Sequence, residues 1–354
     1  MDCTLDLYTD YLISSTGQAS ATGLSALHDG ALSHDKVTRF LASTYLDSRE
    51  LWLAAKPLVR RAEANRAAAD FAVLIVDDCI AEKPHTDPNA LIATYWDHSQ
   101  QRYVRGLNFL TLFYHLAPVA VPLAVVLIEK TEPAPPSATG AARFKSPTTK
   151  NEHLRQLLRV AQQQVAYRYL LGDSWYASAE NINFVVQDLK RQCLFALECS
   201  RTVALSEQGR AKGEFIRLDA LDFANEQPLR VFLRSVPAAV VVSKHLFTNK
   251  DGSNGTLYLL SSDTSLTKAE ILAIYQRRWK VEEYHKSLKQ NTSLTKSPTK
   301  SLVGQANHFF ASMLAYIKLE GLKLKHQVGH FRLKAQLYLV GLKAMNQQLQ
   351  SLAA

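Results

Sequence analysis

The sequence predicts an α/β protein: a mixed sheet flanked by helices, with a helical N-terminal region and a β-rich insertion. Three observations lead there. Residues 1–65 read as helical throughout. Two apolar, strand-like runs, starting at Phe71 and Tyr167, each end in an aspartate and alternate with amphipathic helical stretches. From 195 to 257, short strand-like runs are separated by polar turns such as Asn249–Gly255. Four stretches follow: 1–65, helical; 66–194, the first part of the sheet domain; 195–257, the insertion; and 258–354, its second part with basic C-terminal helices.

In the first stretch Thr22 and Gly23 precede a short helical run, Gly30 interrupts, and Ser33 caps a second short helix. Two such helices fit a helix-turn-helix that contacts DNA. Simple packing onto the sheet domain fits them equally, because the segment is not strongly basic.

Phe71–Val76 is six apolar residues in a row, the pattern of a central strand buried on both faces. The strand is read as ending at Asp77, with Asp78 beside it. Acids at a strand's carboxyl end are held by a rigid sheet and open to substrate. Residues 107–130 supply two further apolar strands. Lys83 and His98, between them, could reach a substrate; a surface lysine and a hydrogen-bonded loop histidine are the commoner roles. Residues 131–149, rich in Pro, Ala and Ser, read as a loop. An amphipathic helix from Asn151 leads into the strand that stops at Gly172-Asp173, and another helix starts at Ser178 or Ala179. For either aspartate alone, a helix cap or turn is a common role.

The stretch from Thr267 to Gln290 is the most informative. Thr267 and Glu270 form a capping box, so one helix is predicted to start there. Ile274, Val281 and Leu288 make an apolar stripe suited to the core. Tyr275, Arg278, Glu282 and Lys289 fall on a neighbouring arc of the same helix. A carboxylate can hold a divalent cation, and Arg, Lys and Tyr can grip phosphate oxygens.

The spacing Tyr-x2-Arg-x3-Glu-x6-Lys resembles the signature of IS4-type DDE transposases, and Gly172–Asn181 (GDSWYASAEN) resembles the second-aspartate region of IS701-like members. The resemblance implies a ribonuclease-H-like fold, with Asp77, Asp173 and Glu282 as catalytic and metal-binding acids. In Asp77-Asp78-Cys79 the cysteine departs from the family's usual hydroxyl, and Asp78 stays open as an alternative ligand. It implies phosphate contacts from Tyr275, Arg278 and Lys289. Two Mg²⁺ ions would be held, with Mn²⁺ able to substitute, for hydrolysis and transesterification of phosphodiesters. The substrates would be double-stranded DNA at transposon terminal inverted repeats and target DNA, with a dimer in the DNA complex. The second reading is a catalytically inactive or repurposed DNA-binding protein on the same fold. Asp173 and Glu282 lie 109 residues apart, more than a plain ribonuclease-H-like domain needs, which places the insertion between them. Trp175 and Trp279 are read first as core residues and second as platforms for an extruded base.

Composition agrees. The net charge is +9 over 354 residues, unevenly placed. Residues 266–354 hold 14 Lys and Arg against 4 Glu and no Asp, whereas the rest holds 27 against 28. A basic region on the Glu282 segment favours a polyanionic partner. No apolar stretch approaches the roughly 20 residues of a membrane span, and the acidic N-terminus does not resemble a signal peptide. A cytoplasmic, nucleoid-associated protein is expected. The four cysteines have no zinc spacing, and neither a phosphate-binding glycine loop nor a GxSxG elbow occurs.

Overall fold

A computed structural model describes residues 1–43, 45–97, 100–135, 143–223, 227–249 and 251–353. In chain order its elements are α1 (Leu5–Ser14), α2 (Ala21–Ala26), α3 (His34–Ser43), α4 (Ser48–Asn65), β1 (Val73–Glu82), β2 (Ile92–Asp97), β3 (Arg102–Leu116), β4 (Val119–Leu127), β5 (Glu132–Ala134), β6 (Arg143–Lys145) and α5 (Lys150–Gln164). Then come β7 (Tyr169–Gly172), α6 (Ala179–Asn183), β8 (Gln192–Leu197), β9 (Thr202–Val203), α7 (Glu207–Lys212), β10 (Ile216–Arg217), β11 (Leu229–Val231), β12 (Val240–Thr248) and β13 (Asn254–Ser261). The chain finishes with α8 (Lys268–Gln276), α9 (Trp279–Asn291), α10 (Leu302–His326) and α11 (His330–Ala353).

The heart of the sheet runs β4-β3-β1-β7-β8. β4, β3 and β1 are antiparallel neighbours, and β7 and β8 run parallel to β1. This is the ribonuclease-H-like mixed sheet. The long strand β3 takes β2 along its first half and β4 along its second. The apolar runs read from sequence explain the centre: Val73–Val76 and Tyr169–Leu171 are completely buried, with helices on both sides. Strands from the 195–257 stretch extend the same sheet, since β13 pairs with β8, then β12 and β11 follow.

β1 does not end at Asp77. It continues to Glu82 because β3 pairs with it throughout, as far as Gly106 opposite Glu82. β7, on its other side, leaves after Ile75, so that flank of Asp77 lies beyond the parallel ladder.

The segment from Thr267 to Gln290 is two helices rather than one. The capping box at Thr267 forms as predicted. At Arg277 and Arg278 the bonding tightens: the amides of residues 277, 278, 280 and 281 donate to carbonyls three residues back. Arg277 anchors the break, bonding the carbonyls of Phe71 (3.0 Å) and His115 (2.9 Å).

The N-terminal helices α1 and α3 pack on α10, burying Leu12, Leu24, Leu32, Val37 and Leu41. The polar segment after α9 runs through the interior, with Thr292, Ser293 and Leu294 buried. Ser293 Oγ donates to Leu12 O (3.0 Å) and Thr292 Oγ1 to Leu288 O (2.9 Å), so these two hydroxyls serve the packing. No helix among the described residues is long and apolar enough to cross a membrane.

Candidate active site

Alternation along β1 decides what its two aspartates meet. Asp77 turns to α9, and Asp78 turns to α5 and the segment after β7. Asp78 is fully engaged: Tyr176 donates to Oδ1 (2.7 Å), while Lys150 (2.5 Å) and Asn108 (3.1 Å) donate to Oδ2. Burial works to raise its carboxyl, but Lys150, Tyr176 and Asn108 hold it below its ordinary value.

Asp77 is in the opposite state. Among the described residues, its only side-chain hydrogen bond comes from the Asp78 amide (3.0 Å). Burial pushes its carboxyl up to about 8, helped by Glu282, Asp78 and Asp173 and opposed by Arg278. The Arg278 guanidinium spans two acids, 3.7 Å from Asp77 and 3.2 Å from Glu282. One turn beyond Glu282, His285 Nδ1 lies 3.8 Å from Asp77. The donor atoms of Asp77, Glu282 and His285 all lie within 4.8 Å of one another. Burial keeps His285 neutral, with a pKa of about 3.

Asp173 ends β7. The parallel register sets Leu171 beside Ile75, and Asp77 and Asp173 each lie two residues beyond that last pair. Glycine precedes it of necessity: a Cβ at position 172 would stand 2.9 Å from Val76 Cγ1 and 3.0 Å from Phe195 Cε1. Asp173 also caps the 3₁₀ turn Ser174–Tyr176, accepting from the Trp175 amide (3.0 Å). Burial raises its carboxyl. It stands outside the 4.8 Å cluster of Asp77, Glu282 and His285, though its charge acts on Asp77.

The remaining predicted residues divide. Tyr275 is buried, which pushes its hydroxyl up to about 12, and the Arg278 guanidinium lies 5.9 Å from its ring centre. Lys289 is exposed on α9 and acts on the Cys79 thiol, which burial holds at about 11. Trp175 and Trp279 are 63% and 59% exposed, so core packing is not their role; both sit within the acid-bearing segments, on the surface. Lys83 is buried and donates to the carbonyls of Thr295 (3.0 Å) and Ser297 (3.2 Å), which makes it a structural tie. His98 lies outside the described residues. Sequence reasoning missed Lys150 and His285. Nothing local marks Lys150, but Glu282-x-x-His285 places two metal-ligand types one turn apart on a helix, a readable signal.

The donor set suits a hard divalent cation. Two carboxylates and a neutral imidazole converge, and burial together with mutual repulsion already makes ionised Asp77 costly. A cation there would relieve that repulsion.

Two family profiles match the chain: "DDE superfamily endonuclease" over residues 2–213 and "Transposase DDE domain" over residues 145–318. No curated protein matches it. Among solved structures, the Drosophila P element transposase strand transfer complex is similar at 10% identity and TM-score 0.29, covering 58% of this chain and 46% of that one. The crystal structure of the Mos1 strand transfer complex is similar at 11% identity and TM-score 0.18, covering 53% and 55% respectively. The chain thus spans about half the length of each.

Proposed function

The chain belongs to the DDE superfamily endonuclease family, and on that footing we propose that it is the transposase of an IS4-type, IS701-like insertion sequence. It would cut the element's terminal inverted repeats and join them to target DNA. The observation that carries this reading is the meeting of Asp77 from β1 with Glu282 from α9 under one arginine, with the charge of Asp173, just past β7, acting on Asp77.

Asp77 and Glu282, with Asp173 beside them, are the residues that would hold divalent cations, Mg²⁺ first and Mn²⁺ as a substitute. When bound, such cations activate water or a DNA 3′-hydroxyl and neutralise charge at the scissile phosphate. The other side chains bind and orient. Arg278, which spans Asp77 and Glu282 in the free protein, is placed to turn to a phosphate once cations satisfy those carboxylates. Tyr275 backs the guanidinium, and Lys289 extends the cationic face one helical arc further. The basic excess after residue 266 supplies nonspecific attraction for the duplex. Joining two ends calls for two active sites, so the working form is a dimer on DNA.

The test is nicking of a duplex carrying the element's end sequence, with Mg²⁺ or Mn²⁺ present. Loss of cleavage with retained DNA binding in Asp77→Asn, Asp173→Asn and Glu282→Gln supports the proposal. Tight binding by the unmutated chain with no cleavage under either metal would overturn it.

A further inference from the structure

We propose that His285 is a metal ligand, completing with Asp77 and Glu282 a mixed nitrogen-oxygen site. This deepens the reading above and rests on it. The first support is an exception. Among the described residues every other buried histidine has at least one hydrogen-bonded ring nitrogen, as in His115 and His245, and two have both: His308 bonds Tyr8 Oη (2.9 Å) and Ser293 O (3.0 Å), and His330 bonds Ser287 Oγ (3.0 Å) and Glu320 Oε2 (3.0 Å). His285 is as deeply buried, yet no hydrogen bond reaches either ring nitrogen among the described residues, and its Nε2 is fully enclosed. Nε2 has no partner in either role, so the informative atom is Nδ1, which makes no hydrogen bond and is left to take a ligand.

The second support is where the ring points. Phe109 stands edge-on to it at 5.7 Å and Tyr284 flanks it at 5.2 Å, which fixes the imidazole against the sheet. Held so, Nδ1 faces the Asp77 carboxylate at 3.8 Å. That is too long for a hydrogen bond. It is short enough for two donors to share one ion, whose bonds are about 2.1 Å. Glu282 and His285 are three residues apart on α9, so one helical face presents both. The same Glu-x-x-His spacing builds carboxylate-bridged metal sites in helical bundles.

A nitrogen donor changes selectivity. Mg²⁺ favours oxygen ligands, whereas imidazole raises affinity for transition metals in the order Mn²⁺, Fe²⁺, Co²⁺. Compared with an all-carboxylate site, this one therefore gains affinity for Mn²⁺ without a matching gain for Mg²⁺.

The experiment loads the full-length, unmutated chain with Mn²⁺ and records electron spin echo modulation. Coupling to ¹⁴N is expected, and it should be replaced by ¹⁵N coupling when the protein carries ¹⁵N-histidine. His285→Gln should keep its melting transition, lose the modulation and bind Mn²⁺ about tenfold or more weakly, with Mg²⁺ affinity changed far less. Mn²⁺ that binds, is lost in Asp77→Asn, and yet shows no nitrogen coupling would overturn the histidine ligand while leaving the acid site standing. Mn²⁺ binding that is absent, or indifferent to Asp77→Asn, would overturn both.

Discussion

The Tyr176 hydroxyl donates a 2.7 Å hydrogen bond to Oδ1 of Asp78, tying the turn after Asp173 to the strand that carries Asp77. The two acids sit on separate strands whose ladder stops at Ile75, so this bond spans the gap where the sheet no longer holds them in step. Tyr176→Phe keeps the buried ring and removes a charge-assisted bond worth about 1.5–3 kcal/mol. Mn²⁺ affinity, read by calorimetry, should fall about tenfold, in the range typical of groups that orient ligands. Unchanged affinity in Tyr176→Phe would show that the two strands are aligned by the sheet alone.

The raised carboxyl of Asp77 makes stability depend on pH. Its value is about 8 in the fold against 3.8 for an ordinary aspartate. Between those values the folded chain binds more protons than the unfolded one, so stability falls as pH rises through that window. Chelated protein should therefore melt at progressively lower temperature from about pH 4 to about pH 8. Mg²⁺ or Mn²⁺ should raise the midpoint more at the alkaline end, where the carboxylate is free to bind. Asp77→Asn should flatten both trends. A metal-free melting curve for Asp77→Asn with the same slope as the unmutated chain would refute the assignment.

Much of this was legible in the sequence, and the misses share a cause. Six apolar residues from Phe71 could announce a central strand because burial on both faces leaves no polar position. The strand's end could not be read, because Asp77 and Asp78 look like a terminus while β3, distant in sequence, keeps pairing to Glu82. The helix break at Arg277 was hidden for the same reason: both arginines are good helix formers, and the break follows from carbonyls supplied by Phe71, just before β1, and His115 of β3. Spacing placed Arg278 and Glu282 together because they share a helical face. That Asp78 would be locked away by Lys150 and Tyr176, leaving Asp77 to meet Glu282, depended on contacts no local pattern encodes.

Lys83 offers a clean contrast between a substrate contact and a structural tie. Its ammonium caps the carbonyls of Thr295 and Ser297, and burial pulls its pKa down to about 8. Lys83→Met retains the stem but leaves those carbonyls unpaired, at a cost of about 2–4 kcal/mol. The melting temperature should drop by several degrees while cleavage at low temperature stays near that of the unmutated chain. A variant that melts normally but has lost cleavage would restore Lys83 to the substrate.

Trp175 and Trp279 should behave in the reverse manner. Both rings are exposed, so alanine at either position should change stability by less than about 0.5 kcal/mol. Base stacking on such a ring contributes about 1–3 kcal/mol. Binding to a duplex with an unpaired end should weaken severalfold or more in each variant, with fully paired DNA affected less. Equal losses on both substrates would mean that the indoles touch the backbone rather than a base.

The last helix bears on assembly. From residue 335 to 353 every described position of α11 is exposed. Phe331, Ala335, Tyr338, Leu342, Met345, Leu349 and Leu352 recur at alternating steps of four and three, the repeat of a helix that pairs with another helix. The positions flanking this seam in its distal part, Leu339, Gly341, Asn346 and Gln348, carry no charge, so a second copy would meet no repulsion. A seam this short makes self-pairing weak for the free protein and effective once two chains are held together on paired DNA ends. Sedimentation should show a concentration-dependent dimer that Leu342→Glu with Leu349→Glu abolishes, and the double variant should nick single ends while failing to join pairs. A chain that stays monomeric on paired ends, or joins them normally with both glutamates in place, would remove α11 from the assembly.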